Sequence, residues 1–256
     1  MEGMRPVYIT YESPAPITMG RTLVKSPQDS NFSLKTEPAV GLAVRADLAT
    51  GLDMPLSQWI LPQQTHSQNV VEVDEASWGL GAVTVDTAIP ATDALYTFAS
   101  DTLLAVQTAD CVPVLFYETQ SGLIGAIHSG WRGTVQNITG QTFQKIKAKH
   151  PEVDLSQIHV RLGPSLCQQC FEVDQDVQAA FEKLPAAAGL IREDPKAHKW
   201  LIDNQGVVRE QCLGAGILPE HITEDSTCTL EDPASYSYRE NKTAGRLGHF
   251  IFQRRK

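Results

Sequence analysis

Short apolar runs separated by turns fill the chain from Trp59 to His128, and this pattern constrains the fold more than any other feature. The runs have the length of strands and are too short for helices. Six of them follow one another: Trp59-Ile-Leu-Pro62, Asn69-Val-Val-Glu-Val73, Ala94-Leu-Tyr-Thr-Phe98, Leu103-Leu-Ala-Val106, Val112-Pro-Val-Leu-Phe-Tyr117 and Leu123-Ile-Gly-Ala-Ile127. This segment is therefore predicted to form β-sheet.

Helical periodicity follows the sheet-forming segment. A helix is predicted over residues 134–150, because apolar residues recur there at helical spacing and Pro151 stops the pattern. Further helices are predicted over residues 174–184 and 203–213, and a strand over residues 158–162. Strands and helices alternate irregularly, so the pattern does not imply a purely parallel sheet.

The organisation of the rest of the chain is less distinct. Residues 13–38 mix proline, serine and charge, which predicts loops and short strands at one edge of the fold. A chain of 256 residues with 42% hydrophobic content can bury a sizeable core as one large domain or two small ones. Because no repeat, low-complexity tract or linker marks a boundary, a single domain over residues 1–256 is expected.

Charge and cysteine content exclude several classes of protein. The net charge of -9 provides no basic stripe, so nucleic acid is not expected as a partner. The N-terminal residues do not form a signal peptide and no apolar run is long enough to cross a bilayer, which predicts a cytoplasmic protein without a membrane partner. Five cysteines cannot all pair within the chain, so reduced thiols able to bind metal are expected. The oligomeric state is not predicted.

Two neighbouring turns carry the residues best suited to chemistry. His128 ends an apolar run and enters a glycine-bracketed turn with Trp131 and Arg132, and Asp110 and Cys111 form a polar break between two other apolar runs. Short connections favour pairing of all these runs as adjacent strands. Such pairing would place Cys111 beside His128.

His66 lies in a third polar break and completes a candidate metal site. Two imidazole nitrogens and one thiolate sulfur suit zinc, and three protein ligands leave a fourth tetrahedral position open for water or substrate, as in catalytic zinc sites. The alternative interpretation is two turn histidines and a half-buried cysteine. Zinc is favoured over copper, because none of the seven histidines forms a His-x-His pair of the kind that builds a multicopper cluster.

Several sequence blocks resemble the laccase-domain family, also called the multicopper polyphenol oxidase or purine nucleoside phosphorylase-type family. The resemblance extends from about Trp59 to the C-terminus. It is carried by Gln64-Thr-His-Ser67, Thr108-Ala-Asp-Cys-Val-Pro-Val-Leu115, His128-Ser-Gly-Trp-Arg-Gly133, Gly163-Pro-Ser-Leu166, Cys170-Phe-Glu-Val173, Cys228-Thr229, Ser237-Tyr-Arg239 and Gly245-Arg246. The chain departs from the family pattern at Ser67, Ser129 and Cys167, where glycine, alanine and glycine are usual.

The resemblance implies a fold, a metal site and an activity. It implies an α+β protein in the form of a layered α/β/β/α sandwich with mixed β-sheets, and a zinc site formed by His66, Cys111 and His128. It further implies phosphorolysis of purine nucleosides, namely adenosine, inosine and S-methyl-5'-thioadenosine, to free base and ribose 1-phosphate. Resemblance to bacterial peptidoglycan-editing factors implies a role in peptidoglycan editing as an alternative.

Phosphorolysis requires a site for a phosphate dianion and assistance to the departing purine. Arg132 is the best candidate anion ligand, because a guanidinium can hold phosphate bidentately; the alternative is a surface salt bridge. Arg239 and Arg246 are weaker candidates from family-like blocks. Trp131 either stacks on the base or belongs to the core.

Other activities remain open. Adenosine deamination would use the same zinc site to activate water, with Asp110, or failing that Asp93, as the proton shuttle; the alternative for both carboxylates is capping of a turn. A metal-free hydrolase would use Cys111 as nucleophile and His128 as base. Copper-dependent phenol oxidation is disfavoured.

Cys167-Gln-Gln-Cys170 lacks a second cysteine pair, so its spacing is interpreted as incidental and no metal is assigned to it.

Overall fold

Four layers make up the part of the chain that the computed structural model describes, residues 8–26, 30–194 and 198–255. Two β-sheets pack face to face and helices cover both outer faces. The strands are β1 (Tyr8–Thr10), β2 (Ile17–Thr22), β3 (Trp59–Ile60), β4 (Val70–Glu72), β5 (Ala94–Thr97), β6 (Thr102–Thr108), β7 (Val112–Glu118), β8 (Leu123–Ser129), β9 (His159–Leu162), β10 (Glu172–Val173), β11 (Ile191–Asp194), β12 (Lys199–Ile202), β13 (Ile222–Glu224) and β14 (Leu247–Gln253). The helices are α1 (Pro38–Gly51), α2 (Trp131–Val135), α3 (Ile138–Lys149), α4 (Gln175–Phe181) and α5 (Asn204–Ala215).

Both large sheets are mixed. The five-stranded sheet has the order β1-β2-β14-β6-β3, in which only β3 and β6 run parallel. The six-stranded sheet has the order β13-β9-β7-β8-β5-β4, with parallel pairs at its two ends and antiparallel pairs between them. A small antiparallel sheet, β10-β12-β11, lies beside them. The expected α+β fold with mixed sheets in α/β/β/α layers is confirmed.

Apolar side chains fill the three interfaces between the layers. Between the two sheets, Leu104, Val106 and Ile251 of one sheet pack with Leu115 and Ile124 of the other. The outer faces are covered by α1 on the five-stranded sheet and by α3 and α5 on the six-stranded sheet. Alternation of side chains along each strand explains both contacts, since successive residues point to opposite faces.

The connection between β6 and β7 differs from the prediction that all the central runs pair. β7 and β8 do pair, with Pro113 opposite His128. β6, however, pairs with β14 and β3 in the other sheet. The Asp110–Cys111 turn therefore crosses from one sheet to the other, and the prediction of one set of adjacent strands was wrong for β6.

The helix predicted over residues 134–150 is divided in two. Asn137 has a left-handed backbone, with φ of 57°, and its side chain caps α3 by accepting a hydrogen bond from the Gly140 N–H. Residues 131–135 form the separate short helix α2, and α3 ends before Pro151 as predicted. Asparagine tolerates the left-handed region and is a strong N-cap, so a single residue both breaks and restarts the helix.

Sequence periodicity missed α1 and β14. In α1, Arg45 is fully buried while Leu42 is exposed, so residue type does not mark the buried face. β14 is buried along its whole length and contains His249, which breaks its apolar pattern. Among the helices of the described residues, none is long and apolar enough to cross a membrane.

Candidate functional site

Three side chains from separate segments converge at one point. His66 lies in the loop between β3 and β4, Cys111 in the turn after β6, and His128 near the end of β8. Their potential ligand atoms all lie within 4.8 Å of one another, and Cys111 Sγ is 3.9 Å from His66 Nε2. The structure therefore brings together the three residues predicted from sequence to bind metal.

Gly130 makes this convergence possible. A Cβ atom at this position would lie 2.6 Å from His66 Cδ2 and 2.9 Å from Cys111 Sγ, which is closer than real carbon contacts. Its backbone is extended, so the requirement for glycine comes from space and not from φ. The absent side chain leaves room for the imidazole and the thiol to approach each other.

Asp93 holds two of the three side chains in position. Its carboxylate accepts hydrogen bonds from the backbone N–H groups of residues 65 to 67 and from the Ser67 hydroxyl, at 2.7 to 3.1 Å. It also accepts a hydrogen bond from His128 Nδ1 at 2.8 Å. His128 is thereby oriented with Nε2 available to the cluster, which is the usual arrangement behind a metal-binding histidine.

Electrostatic interactions favour the anionic forms of Asp93 and Cys111. Burial would raise the pKa of Asp93, but hydrogen bonds from His128 and Ser67 outweigh it and lower that pKa to about 2. Burial also opposes ionisation of Cys111, yet the adjacent His128 and His66 lower the pKa of its thiol to about 6. Burial would lower the pKa of His128, but Cys111 and Asp93 raise it to about 9.

These residues fit a metal ion. A thiolate is present near neutral pH, one imidazole is oriented by a carboxylate, and the donor set combines nitrogen and sulfur. A metal cation bound at Nε2 of His128 would take the place of the proton on that nitrogen, and the Nδ1–H would continue to donate to Asp93. Within the described chain no further histidine joins this group of three potential ligands.

A cleft of about 1190 Å³ opens above the three residues. Its walls include all three arginines that were predicted to bind substrate, Arg132, Arg239 and Arg246. Arg132 is exposed, and its guanidinium lies 4.3 Å from the centre of the Trp131 ring. Stacking on the indole restricts the plane of the guanidinium and leaves its N–H groups available in the cleft.

The other two arginines are anchored by backbone carbonyls. Arg239 Nη2 donates to the Glu172 carbonyl at 2.8 Å, and Arg246 Nη1 donates to the carbonyls of Ala244 and Gly245 at 2.5 and 2.9 Å. Both side chains still reach the wall of the cleft. Their positive charge contributes to the potential there even though part of each guanidinium is engaged.

Asp110 connects three segments around the cleft. Its carboxylate accepts a hydrogen bond from the Thr229 hydroxyl at 2.7 Å and one from the Arg239 backbone N–H at 2.6 Å. Both oxygens therefore have donors, and Asp110 also has a left-handed backbone, with φ of 83°. These hydrogen bonds link the Asp110 turn to the segments of Thr229 and Arg239; the assignment of Asp110 as a proton shuttle stays a prediction.

Sequence reasoning missed other cationic residues of the cleft. Lys35 and Lys242 line it, and so does the buried Arg45, which donates to the carbonyls of Phe32, Gly81 and Ala82. Burial lowers the pKa of Arg45 to about 9. Lys242 lies between Arg239 and Arg246 in the sequence, which was an available signal; Arg45 has none, because it lies on a helix that periodicity did not reveal.

Comparison with known proteins identifies the family of the chain. Residues 27–254 match the family model described as multi-copper polyphenol oxidoreductase laccase. The purine nucleoside phosphorylase YlmD of Bacillus subtilis (strain 168) is 32% identical over 209 residues, covering 81% of this chain and 75% of the relative. The adenosine deaminase RL5 from an unknown prokaryotic organism is 33% identical over 196 residues, covering 76% and 74%.

Solved structures show the same fold. The hypothetical protein YfiH of Bacillus licheniformis superposes with a TM-score of 0.92 at 27% identity, covering 98% of this chain and 97% of that one. YlmD from Geobacillus stearothermophilus superposes with a TM-score of 0.88 at 31% identity, covering 94% and 93%. With its cleft, its convergent His66, Cys111 and His128, and these likenesses, the chain belongs to the multi-copper polyphenol oxidoreductase laccase family.

Proposed function

We propose that the protein is a zinc-dependent purine nucleoside phosphorylase, with adenosine deamination as a side activity. The observation that carries the proposal is the placement of His66, Cys111 and His128 in a cleft whose walls carry Arg132, Arg239 and Arg246. Relatives named for nucleoside phosphorolysis and for adenosine deamination support it. The proposed substrates are purine nucleosides and inorganic phosphate. The proposed location is the cytoplasm, with which the five free thiols agree.

Phosphate binding is the part of the reaction that the arginines explain. The stacked guanidinium of Arg132 presents a planar pair of donors, which matches two oxygens of a phosphate. Arg239 and Arg246 line the same cleft and add positive charge to it. A phosphate dianion held in this way is positioned to attack the anomeric carbon of ribose while the bond to the purine breaks.

The nucleoside requires an apolar surface as well as polar groups. The cleft contains Leu61, Pro62, Phe171 and Val177 beside its charged residues. Such a mixed surface suits a purine ring next to a ribose and a phosphate. The volume of the cleft is sufficient for both substrates together.

Zinc fits the donor set of His66, Cys111 and His128. When bound, it would supply Lewis-acid chemistry at the floor of the cleft. The chain itself contributes the orientation of His128, through the Asp93 carboxylate, and the anionic thiol of Cys111. The Ser67 hydroxyl donates a further hydrogen bond to Asp93 and, after His128, contributes to the lowered pKa of that carboxyl.

Chromatography of the products with and without phosphate tests the proposal. With inosine and phosphate, the zinc-loaded protein is expected to release hypoxanthine and ribose 1-phosphate, and release is expected to fall to background when phosphate is withheld. Adenosine is expected to yield inosine in both conditions, because water and not phosphate is then the attacking group. If zinc-loaded protein forms neither free base nor inosine, the nucleoside assignment is wrong.

A metal-free cysteine hydrolase is the second candidate function. It is supported by the lowered pKa of Cys111 and by the hydrogen bond from His128 to Asp93, since together they resemble a Cys-His-Asp arrangement. Repeating the assay on chelated protein separates the two functions. The zinc enzyme loses turnover when the metal is removed, whereas a cysteine hydrolase retains it.

A further inference from the structure

A second cluster of thiols lies outside the group formed by His66, Cys111 and His128. The sulfur atoms of Cys167, Cys170 and Cys228 all lie within 4.8 Å of one another. The sequence shows only the Cys167–Cys170 spacing, which taken alone was interpreted as incidental. The fold supplies the third sulfur from a distant part of the chain.

Backbone pairing builds this cluster. Ser165 and Cys228 form a parallel β-bridge, and the Thr229 N–H donates to the Ser165 carbonyl at 3.0 Å. The N–H groups of Cys170 and Phe171 both donate to the Cys167 carbonyl, at 3.0 and 2.9 Å. The tight turn places the two thiols of the Cys-x-x-Cys segment on the same side as Cys228.

The three thiols differ in the direction in which their surroundings shift the pKa. Burial would raise the pKa of Cys228, but N–H groups directed at its sulfur, including that of Cys167 at 3.5 Å, lower it. Burial and the neighbouring sulfurs together raise the pKa of Cys170 to about 12. The pKa of Cys228 is thus lowered, whereas burial above all raises the pKa of Cys167 and of Cys170. A divalent cation bound by the three sulfurs would favour their deprotonation.

The distances suit a soft divalent cation. In tetrahedral zinc–thiolate sites the Zn–S distance is about 2.3 Å, which places sulfurs roughly 3.8 Å apart. Sulfurs within 4.8 Å of one another reach that geometry by small side-chain movements. Glu231 Oε1 lies 3.9 Å from Cys170 Sγ and provides an oxygen on the exposed side of the cluster.

We propose that Cys167, Cys170 and Cys228 form a second metal site, which binds zinc or a similar soft cation with Glu231 as the fourth ligand. A closed set of four protein ligands is typical of structural zinc. The proposal does not depend on the reaction proposed for the cleft.

The metal would fix one wall of the cleft. Leu166 and Phe171, which flank the Cys-x-x-Cys segment on either side, line the cleft, and the Glu172 carbonyl accepts the hydrogen bond from Arg239. Linking Cys167 and Cys170 to the segment of Cys228 and Glu231 therefore holds this wall against the loop that carries Arg239. The site is structural and contributes to the shape of the cleft.

Metal stoichiometry tests the proposal on the full chain. After reconstitution with zinc in reducing buffer and removal of excess metal, elemental analysis is expected to give about two zinc ions per wild-type chain. Cys167→Ser and the double variant His66→Ala/Cys111→Ser are each expected to retain about one. Cys212→Ala removes a buried thiol of α5 away from both clusters and is the matched control with about two.

Cobalt substitution identifies which sulfurs hold the metal. Thiolate-to-cobalt charge-transfer absorption increases with the number of thiolates on the ion, so the double variant is expected to keep most of the band and Cys167→Ser to lose most of it. If the double variant binds no metal, the second site does not exist, and this conclusion holds whether or not zinc binds to His66, Cys111 and His128 in the wild type. If the wild type binds no more zinc than folded Cys167→Ser, the proposal is likewise overturned.

A substitution at the surface tests the proposal if Cys167→Ser does not fold. Glu231 is exposed, so Glu231→Gln leaves the core untouched. In the His66→Ala/Cys111→Ser background it is expected to weaken zinc binding about tenfold or more. Zinc affinity unchanged by Glu231→Gln would contradict the assignment of the fourth ligand.

Discussion

At the scale of single residues, the geometry of the site depends on side chains that each form hydrogen bonds with several other groups. Asp93 is the clearest case, because one fully buried carboxylate fixes the loop of His66 and the ring of His128 together. Arg132 differs from Asp93 in its exposure to solvent. Its guanidinium is exposed and rests on Trp131, which leaves its polar edge available to a ligand.

Replacing Arg132 by lysine tests its role in anion binding. Lysine keeps the charge but loses the planar pair of donors, so the KM for phosphate is expected to rise about ten- to a hundredfold, the equivalent of a charge-assisted hydrogen bond. Zinc content and the circular dichroism spectrum are expected not to change. Arg192→Lys, at an exposed position on β11 outside the cleft, is the matched control. Equal saturation by phosphate in both variants would exclude Arg132 from the anion site.

At the scale of elements, the junction between β8 and α2 determines the geometry of the metal ligands. His128 lies in β8, Gly130 follows the strand, and Trp131 begins α2. The close approach of His66 and Cys111 to Gly130 means that this junction has no room for a side chain. The position of a backbone segment therefore controls the distance between two side chains from elsewhere in the fold.

Gly130→Ala is expected to reduce zinc affinity at the cleft by at least tenfold. The new methyl group would displace the His66 ring or the Cys111 sulfur, while the extended backbone at this position accepts alanine. Competition with a chromophoric chelator measures the loss. Gly214→Ala is the control, because this position is within α5 and no described atom outside the neighbouring backbone of that helix lies within 4 Å of the added methyl group. That control is expected to stabilise the fold by about 0.5 to 1 kcal/mol. Unaltered zinc affinity in Gly130→Ala would show that the site tolerates the displacement.

At the scale of the whole molecule, the two large sheets enclose a buried histidine. His249 lies on β14, in the interior of the five-stranded sheet, and its Nε2 is 2.8 Å from the Thr108 hydroxyl. Its Nδ1 has no partner among the described residues. Burial, with a smaller effect from the charge of Arg21, lowers the pKa of His249 to about 3. The imidazole is therefore neutral in the folded protein, and any proton placed on it would be buried between the sheets.

This histidine is expected to make the whole fold acid-sensitive. Between pH 6.5 and pH 3 the unfolded chain binds a proton at this position that the folded chain does not, so the free energy of unfolding decreases as the pH falls. One proton over the roughly 1.5 pH units from 6.5 to 5 corresponds to ~2 kcal/mol. His249→Gln cannot be protonated there. Urea unfolding of chelated protein at pH 7.5 and pH 5 is expected to show a smaller loss of stability in this variant than in the wild type. The same loss in both proteins would assign the acid sensitivity to other groups.

The sequence by itself determined the local elements and the candidate ligands. Short apolar runs predicted β3 to β8, because strand length and turn residues are local properties. The polar breaks between those runs identified His66, Cys111 and His128, since side chains at strand ends reach a shared site. Arg132, Arg239 and Arg246 were found in the same way or through family-like blocks, whereas Arg45 was not found.

Tertiary structure alone decided what depends on contacts between distant segments. It placed β6 in the sheet opposite β7, made Asp93 the centre of the hydrogen bonds around His128, and brought Cys228 to Cys167 and Cys170. Local periodicity does not contain this information, because strand order and register follow from packing whole layers against each other. The sequence therefore shows which residues can act, and the packing of the two sheets determines which of them meet.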